Sequence, residues 1–302
     1  MKKNILFGLM MITWGISFCQ QDPLYSQYII NPFIINPAYA GYSKDLNALA
    51  AYRLQWAGYD GSPVTMNASG HIALTDNRMG LGLTVLTDKI GSEETTTIQA
   101  SYAYHLLFKK NVRISFGLNG GVVNYKNDFS NLVIDENDPK FQSNINVFKP
   151  TVGAGVIFSS DHFFIGLSVP KMLESSASVD GTNLILYNQH AYAHLAYLFT
   201  VSPRLKLKPF VMGRAVQGST LNTDFGICLN ADDSYTIGLF TRNLNTYGFL
   251  AKLNLGDMVR MGYVFELPTN KSVGSQYTSH EVTLGIRMRV FRFHDIEAVA
   301  DF

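Results

Sequence analysis

From Thr97 to Phe108 the chain alternates without a break: Ile98, Ala100, Tyr102, Tyr104, Leu106 and Phe108 share one face of an extended backbone, and Thr97, Gln99, Ser101 and His105 share the other. Successive side chains of a strand point to opposite faces, so this stretch has one apolar and one polar side. Val112, Ile114, Phe116 and Leu118 alternate in the same way with Arg113, Ser115 and Asn119, as do Val259, Met261, Tyr263 and Phe265 with Arg260 and Glu266. Segments of about ten residues with aromatic ends have the length that a tilted membrane-crossing strand needs. Beyond the first twenty residues no run of about 18 apolar residues occurs, which excludes membrane-spanning helices. Charged residues make up 16%, against about 25% in ordinary soluble domains. The pattern predicts an all-β fold, a transmembrane antiparallel barrel.

Fourteen such segments are predicted, at 47–56, 64–75, 78–87, 95–108, 111–125, 148–158, 163–170, 190–200, 206–214, 221–229, 235–241, 247–255, 259–266 and 279–290. Their connections sort by parity. Every second one is short and turn-rich: 76–77, 109–110, 159–162, 201–205, 230–234 and 256–258. The others include the longest breaks, 126–147 and 171–189, and also 267–278. Outer-membrane barrels have short periplasmic turns and longer outer loops, so both termini are expected in the periplasm. An open sheet edge in lipid would leave unpaired backbone groups, so the sheet must close.

The first residues read as a secretory signal. Lys2 and Lys3 precede an apolar stretch, Ile5 to Ile16, and a small-x-small step, Ser17-Phe18-Cys19. Acylation of Cys19 is the alternative, but Phe18 is bulky where such sites prefer a small residue. The expected organisation is a signal peptide over 1–19, a non-strand segment over 20–46 at the lumen or periplasmic rim, a barrel over 47–291 and a periplasmic tail over 292–302. Without Lys2 and Lys3, 22 of the 24 basic residues remain against 23 acidic ones, and Cys228 has no partner for an intramolecular disulfide. This balance argues against nucleic acid. Near the end, Thr283, Gly285, Met288 and Val290 have a spacing that resembles the assembly signal of outer-membrane barrels, although any amphipathic strand with one glycine can match it by chance.

Residues 27–41, QYIINPFIINPAYAG, break the strand pattern. Proline lacks an N–H donor and pushes its predecessor out of the α region, so Asn31 and Asn36 should be extended or in turns. Yet Tyr25, Tyr28, Ile29, Ile30, Phe33, Ile34, Ile35 and Tyr39 are too apolar for a solvated tail and need cover from the lumen, the rim or a partner.

The stretch 21–63 closely resembles the N-terminal signature of the PorP/SprF family of type IX secretion and gliding-motility proteins of Bacteroidetes. The residues that carry the resemblance are Asp22, Pro23, Tyr25, Ser26, Gln27, Tyr28, Asn31, Pro32, Asn36, Pro37, Ala38, Tyr39, Ala40 and Gly41, followed by Tyr52, Arg53, Gln55, Trp56, Asp60, Gly61, Ser62 and Pro63. The resemblance implies an outer-membrane barrel that binds and helps export or anchor a secreted surface protein, commonly an adhesin with a C-terminal secretion domain. Other type IX secretion components and membrane lipid are the further partners it implies. The competing reading is a diffusion channel or substrate-specific porin, which would have an open lumen.

No enzyme or cofactor chemistry is legible. The sequence has no GxSxG or HExxH motif, and in the pairs His280-Glu281 and His294-Asp295 neighbouring side chains point to opposite faces of a strand. The run 135–139 lacks the spacing and late glutamate of a calcium loop. Lys208, Arg214, Lys252, Arg260, Arg287 and Arg289 fall on polar strand faces, where they tune a pore, bind the plug or simply meet water. Phe129, Phe141, Met172 and Tyr187 are candidate partner contacts in the long loops; the alternative is that they fold those loops over the pore.

Overall fold

The computed structural model describes residues 26–74, 77–108, 111–128, 145–173, 175–179, 182–216, 219–269 and 276–290. The strands are β1 (Leu46–Leu54), β2 (Val64–Leu74), β3 (Met79–Ile90), β4 (Glu93–Leu107), β5 (Arg113–Asn127), β6 (Ile145–Ser159), β7 (Phe163–Val169), β8 (Ser175–Val179), β9 (Thr182–Tyr187), β10 (His190–Tyr197), β11 (Phe199–Ser202), β12 (Leu205–Val216), β13 (Asn222–Ala231), β14 (Tyr235–Arg242), β15 (Thr246–Leu255), β16 (Val259–Pro268) and β17 (Ser279–Met288). All but β8 and β9 form one antiparallel sheet in which sequence neighbours pair. It closes where β1 pairs with β17 from Leu46↔Met288 to Leu54↔His280. The chain spends fourteen strands on the closed barrel: β11 continues the path of β10 after a break at Leu198, whose N–H donates to the His162 carbonyl. No helix among the described residues is long and apolar enough to cross a membrane.

The alternation decides which face is which. On β4, Thr97, Gln99, Ser101 and His105 are buried and Ile98 and Tyr102 are exposed. The same inversion recurs around the barrel, with Phe116, Leu118, Phe148, Leu195, Leu239 and Leu284 exposed and Arg53, Arg214, Asp224, Lys252, Glu266 and Glu281 buried. An apolar exterior over a polar interior is what a lipid-facing barrel requires. Residues 26–45 pack against these interior faces.

Loop parity holds with exceptions. The turns after β2, β4, β6, β11, β13 and β15 are all short, while the connections 55–63 and 269–278 and the two longest breaks lie at the opposite end. At that same end β3 and β4 extend further than the alternation suggested and meet at Gly91-Ser92, where Gly91 takes φ +59°. The loop expected over 171–189 holds an extra hairpin, β8 with β9. Since β1 begins and β17 stops at the short-turn end, the chain enters and leaves the barrel wall there.

Candidate functional site

Residues 26–45 build the interior from three five-residue steps, QYIIN, PFIIN and PAYAG. Each step opens a 3₁₀ turn: Gln27–Ile29, Pro32–Ile34 and Pro37–Tyr39. Proline at the first turn position has its φ already set and lacks a donor that would be orphaned there anyway. The preceding asparagines are both outside the α region: Asn36 is extended at φ −138° and ψ 109°, and Asn31 lies near it at φ −135° and ψ 83°. Each turn returns two or three apolar side chains to the barrel wall, so Tyr28, Phe33, Ile35, Ala38, Tyr39, Ala40 and Tyr42 form one buried cluster with Phe164, Phe210, Phe240, Leu250 and Val264 of the strands.

The wall is cut to receive this segment. A Cβ at Gly117 would fall on the backbone of Pro37 and Ala38, one at Gly80 on the Ala40 carbonyl, and one at Gly82 on the Phe33 ring. Asn36 occupies a notch between Gly155 of β6 and Gly166 of β7. There its Nδ2 donates to the carbonyls of Val156 and Leu167, both at 3.3 Å, and its Oδ1 accepts from the Ala38 N–H at 3.0 Å. Glycine inside a strand weakens pairing and marks close approach by another backbone, which is its role here.

Two histidines hold the turn that leads into β1. Gly41 N–H donates to Nδ1 of His71 at 3.2 Å, and Nε2 of His105 lies 3.0 Å from the Ala40 carbonyl, which only accepts. His105 therefore carries its proton on Nε2 and accepts at Nδ1 from the Ser115 hydroxyl at 2.7 Å.

At the long-loop end the segment starts in a cluster of buried charge. Arg242 clasps Asp224 through Nε and Nη2, each at 3.0 Å, and reaches Glu266 at 3.4 Å. Arg53 reaches Glu266 at 2.6 Å and Glu281 at 3.3 Å. Ser26 sits between them, its N–H on Glu281 at 3.3 Å, its hydroxyl donating to Glu266 and accepting from Arg242 at 2.9 Å. Tyr28 donates to Asp224 at 2.9 Å; burial, and then the Asp224 charge, push its phenol well above the usual range, so it stays a donor. Buried charges need such pairing because an isolated ion in this environment is costly.

Of the sequence-predicted residues, Gln27, Tyr28, Asn31, Pro32, Asn36, Pro37, Ala38, Tyr39, Gly41 and Arg53 come together in the lumen. Gln55, Trp56, Asp60 and Gly61 lie in the connection from β1 to β2, where Gln55 N–H bonds the Pro63 carbonyl and Trp56 and Gly61 take φ +58° and +73°. Asp22, Pro23, Tyr25, Phe129 and Phe141 lie outside the described residues. Met172 is exposed, whereas Tyr187 is buried, with Lys171 over its ring at 4.2 Å and its hydroxyl 3.0 Å from His190. Lys208, Arg214 and Lys252 are buried inside, Arg260 and Arg287 are half-buried, and Arg289 is exposed past the end of β17. His280 bonds the outward Tyr263 hydroxyl while Glu281 faces the lumen, as strand geometry requires. Sequence reasoning missed Asp224, Arg242 and Glu281 as a group, since only the strand register brings them together. Among the described residues no cluster of His, Cys, Asp and Glu is arranged to hold a metal.

Comparison with solved structures finds the same architecture. A Pseudomonas aeruginosa FadL homologue aligns with a TM-score of 0.51 and 11% identity, covering 92% of this chain and 97% of that one. The Ralstonia pickettii toluene transporter TbuX aligns at 0.50 with 11% identity over 90% and 94%, and the P. putida toluene transporter TodX at 0.50 with 10% identity over 90% and 95%. At this identity the likeness concerns the fold, an outer-membrane β-barrel. No curated protein sequence matches the chain significantly. A family model does, over residues 17–286, which include the lumenal segment and nearly all of the wall. The chain belongs to the PorP/SprF family of type IX secretion system membrane proteins.

Proposed function

We propose that this barrel is a scaffold of the type IX secretion system that holds or hands over a secreted surface protein at the outer membrane, and that it is not a diffusion channel. The observation that carries this reading is the packing of residues 26–45, whose aromatic and aliphatic side chains fill the interior where a porin would hold water. Burying each large apolar side chain contributes about 1.5–3 kcal/mol, and Tyr28, Ile29, Phe33, Ile35, Tyr39 and Tyr42 are all buried, which commits the segment to the lumen. Secretion and anchoring by a filled barrel proceed on its surfaces, and loops carried by a rigid scaffold are suited to recognition. The exposed Met172 is the described residue proposed for that contact.

The test is deletion of the gene followed by assay of the medium and the cell surface. Loss of one or a few large surface proteins is expected, together with closed, non-conducting behaviour of the purified barrel in planar bilayers. Persistence of every surface protein, with reduced uptake of a small solute and stepwise conductance, would favour the channel instead.

A further inference from the structure

We infer that residues 26–45 have a second role, as the internal template on which the barrel closes, and that they act by positioning β17 for pairing with β1. The segment meets inward groups all the way round the barrel wall. It meets Asn67, Ser69 and His71 on β2; Gly80 on β3; His105 on β4; Gly117 on β5; Ser159 on β6; and Ser168 on β7. It continues with His194 on β10, Phe210 on β12, Asp224 on β13, Arg242 on β14, Glu266 on β16 and Glu281 on β17. On β1, which follows the segment directly in the chain, Asn47 donates to the Ser43 hydroxyl and the Asp45 carbonyl, and on β15 Leu250 shares the segment's buried cluster.

Its two ends carry the argument further. At the long-loop end Ser26 bonds Glu281 of β17 and Glu266 of β16, and at the short-turn end Asp45 pairs with Arg287 of β17. The closing strand is thus gripped at both of its ends by the same short segment. Arg53 of β1 reaches the same two glutamates, so the ions that meet Ser26 are also those that cross the seam. Pairing β1 with β17 joins residues more than 200 positions apart, the least local strand pairing in the fold and the one with the greatest loop-closure cost. A segment already joined to β1 and complementary to β17 adds its own contacts to that closure, so the ordering cost is offset by more than the strand ladder alone. The glycine notches add direction: Asn36, Ala38 and Ala40 sit where the wall has no room for even a Cβ, a fit that favours a wall assembled around the segment over a segment threaded into a closed barrel.

The experiment follows closure directly. In the full chain carrying Cys19→Ser and Cys228→Ser, a cysteine pair at Ala50 and Leu284 reports the seam, and a pair at Ala100 and Gly120 reports the local β4–β5 ladder; both pairs are cross-strand neighbours on the outward face. The protein is diluted from urea into detergent micelles and oxidised. Deleting residues 26–45 is expected to leave the β4–β5 cross-link intact and to lower the seam cross-link about tenfold or more, as loss of a closure nucleus should. A synthetic peptide of residues 26–45 is expected to restore the seam when present at dilution and to fail when added an hour later. Ser26→Pro with Asp45→Ala, which keeps the segment but removes the N–H held by Glu281 and the carboxylate held by Arg287, is expected to slow seam formation with the ladder unchanged. Seam closure at the full-chain rate without the segment overturns the proposal, as does equal rescue by late peptide, which would make the segment a stabiliser only. Loss of both cross-links overturns the specific link to β17.

Discussion

At the level of single residues the interior wall is specified by absence as much as by presence. Gly117 has no side chain because the backbone of Ala38 stands in its place, whereas Gly120, three residues along on the same strand and facing outward, borders open space. Gly117→Val is therefore expected to destabilise the barrel by about 1–3 kcal/mol through overpacking, and Gly120→Ala to change stability by less than about 0.5 kcal/mol, both read by urea unfolding in detergent. The charged cluster gives a complementary case. Arg242→Met strips Asp224 and Glu266 of their shared partner, and breaking a buried pair from one side costs about 3–5 kcal/mol. Arg242→Lys should recover only part of the loss, because a single ammonium cannot reproduce the fork on Asp224. Arg53 was legible in the sequence as part of a family signature, but its partners Glu266 and Glu281 were not. They lie 213 and 228 residues away, and nothing short of the register reveals that they face the same space.

Among the elements, the strands were almost wholly legible and the turns were not. Alternation located all fourteen barrel segments to within a few residues, because lipid on one side and a polar interior on the other impose period two on every one of them. It failed where that constraint lapses. Past the lipid-facing band β3 and β4 continue to Gly91 with residues such as Thr87, Lys89 and Glu94, which carry no apolar alternation. The hairpin of β8 and β9 stands apart from the barrel sheet and escapes the pattern for the same reason. In the lumenal segment the two Asn-Pro steps read as equals, yet only Asn36 caps its own turn; the side chain of Asn31 instead donates to Ser69 at 2.8 Å. Asn36→Ala removes a cap and two bonds to wall carbonyls, while Asn31→Ala removes one neutral bond. The first is expected to cost about 2–3 kcal/mol and the second about 1 kcal/mol, by thermal or urea unfolding. Equal effects would show that the notch at Gly155 and Gly166 contributes nothing beyond shape.

For the whole molecule, what the sequence could supply was a closed sheet with two unlike ends, and those ends imply an orientation in the membrane. The short turns, such as Asp232-Asp233 with both residues at positive φ, need no more than tight reversal, which suits the side from which a barrel is inserted. The long connections collect at the other end, beside the buried charges that anchor Ser26. Under the proposed scaffold role that end faces outward, since recognition on the cell exterior needs loops large enough to present a surface. Asp60, exposed in the connection from β1 to β2, and Asp257, exposed in the turn from β15 to β16, sample the two ends. With Cys228→Ser in place, a cysteine at position 60 is expected to react with a membrane-impermeant maleimide on intact cells. A cysteine at position 257 should react only after the outer membrane is opened. Reversed labelling would place the long loops in the periplasm and with them any partner they bind, turning the barrel from an exporter's surface platform into a periplasmic dock.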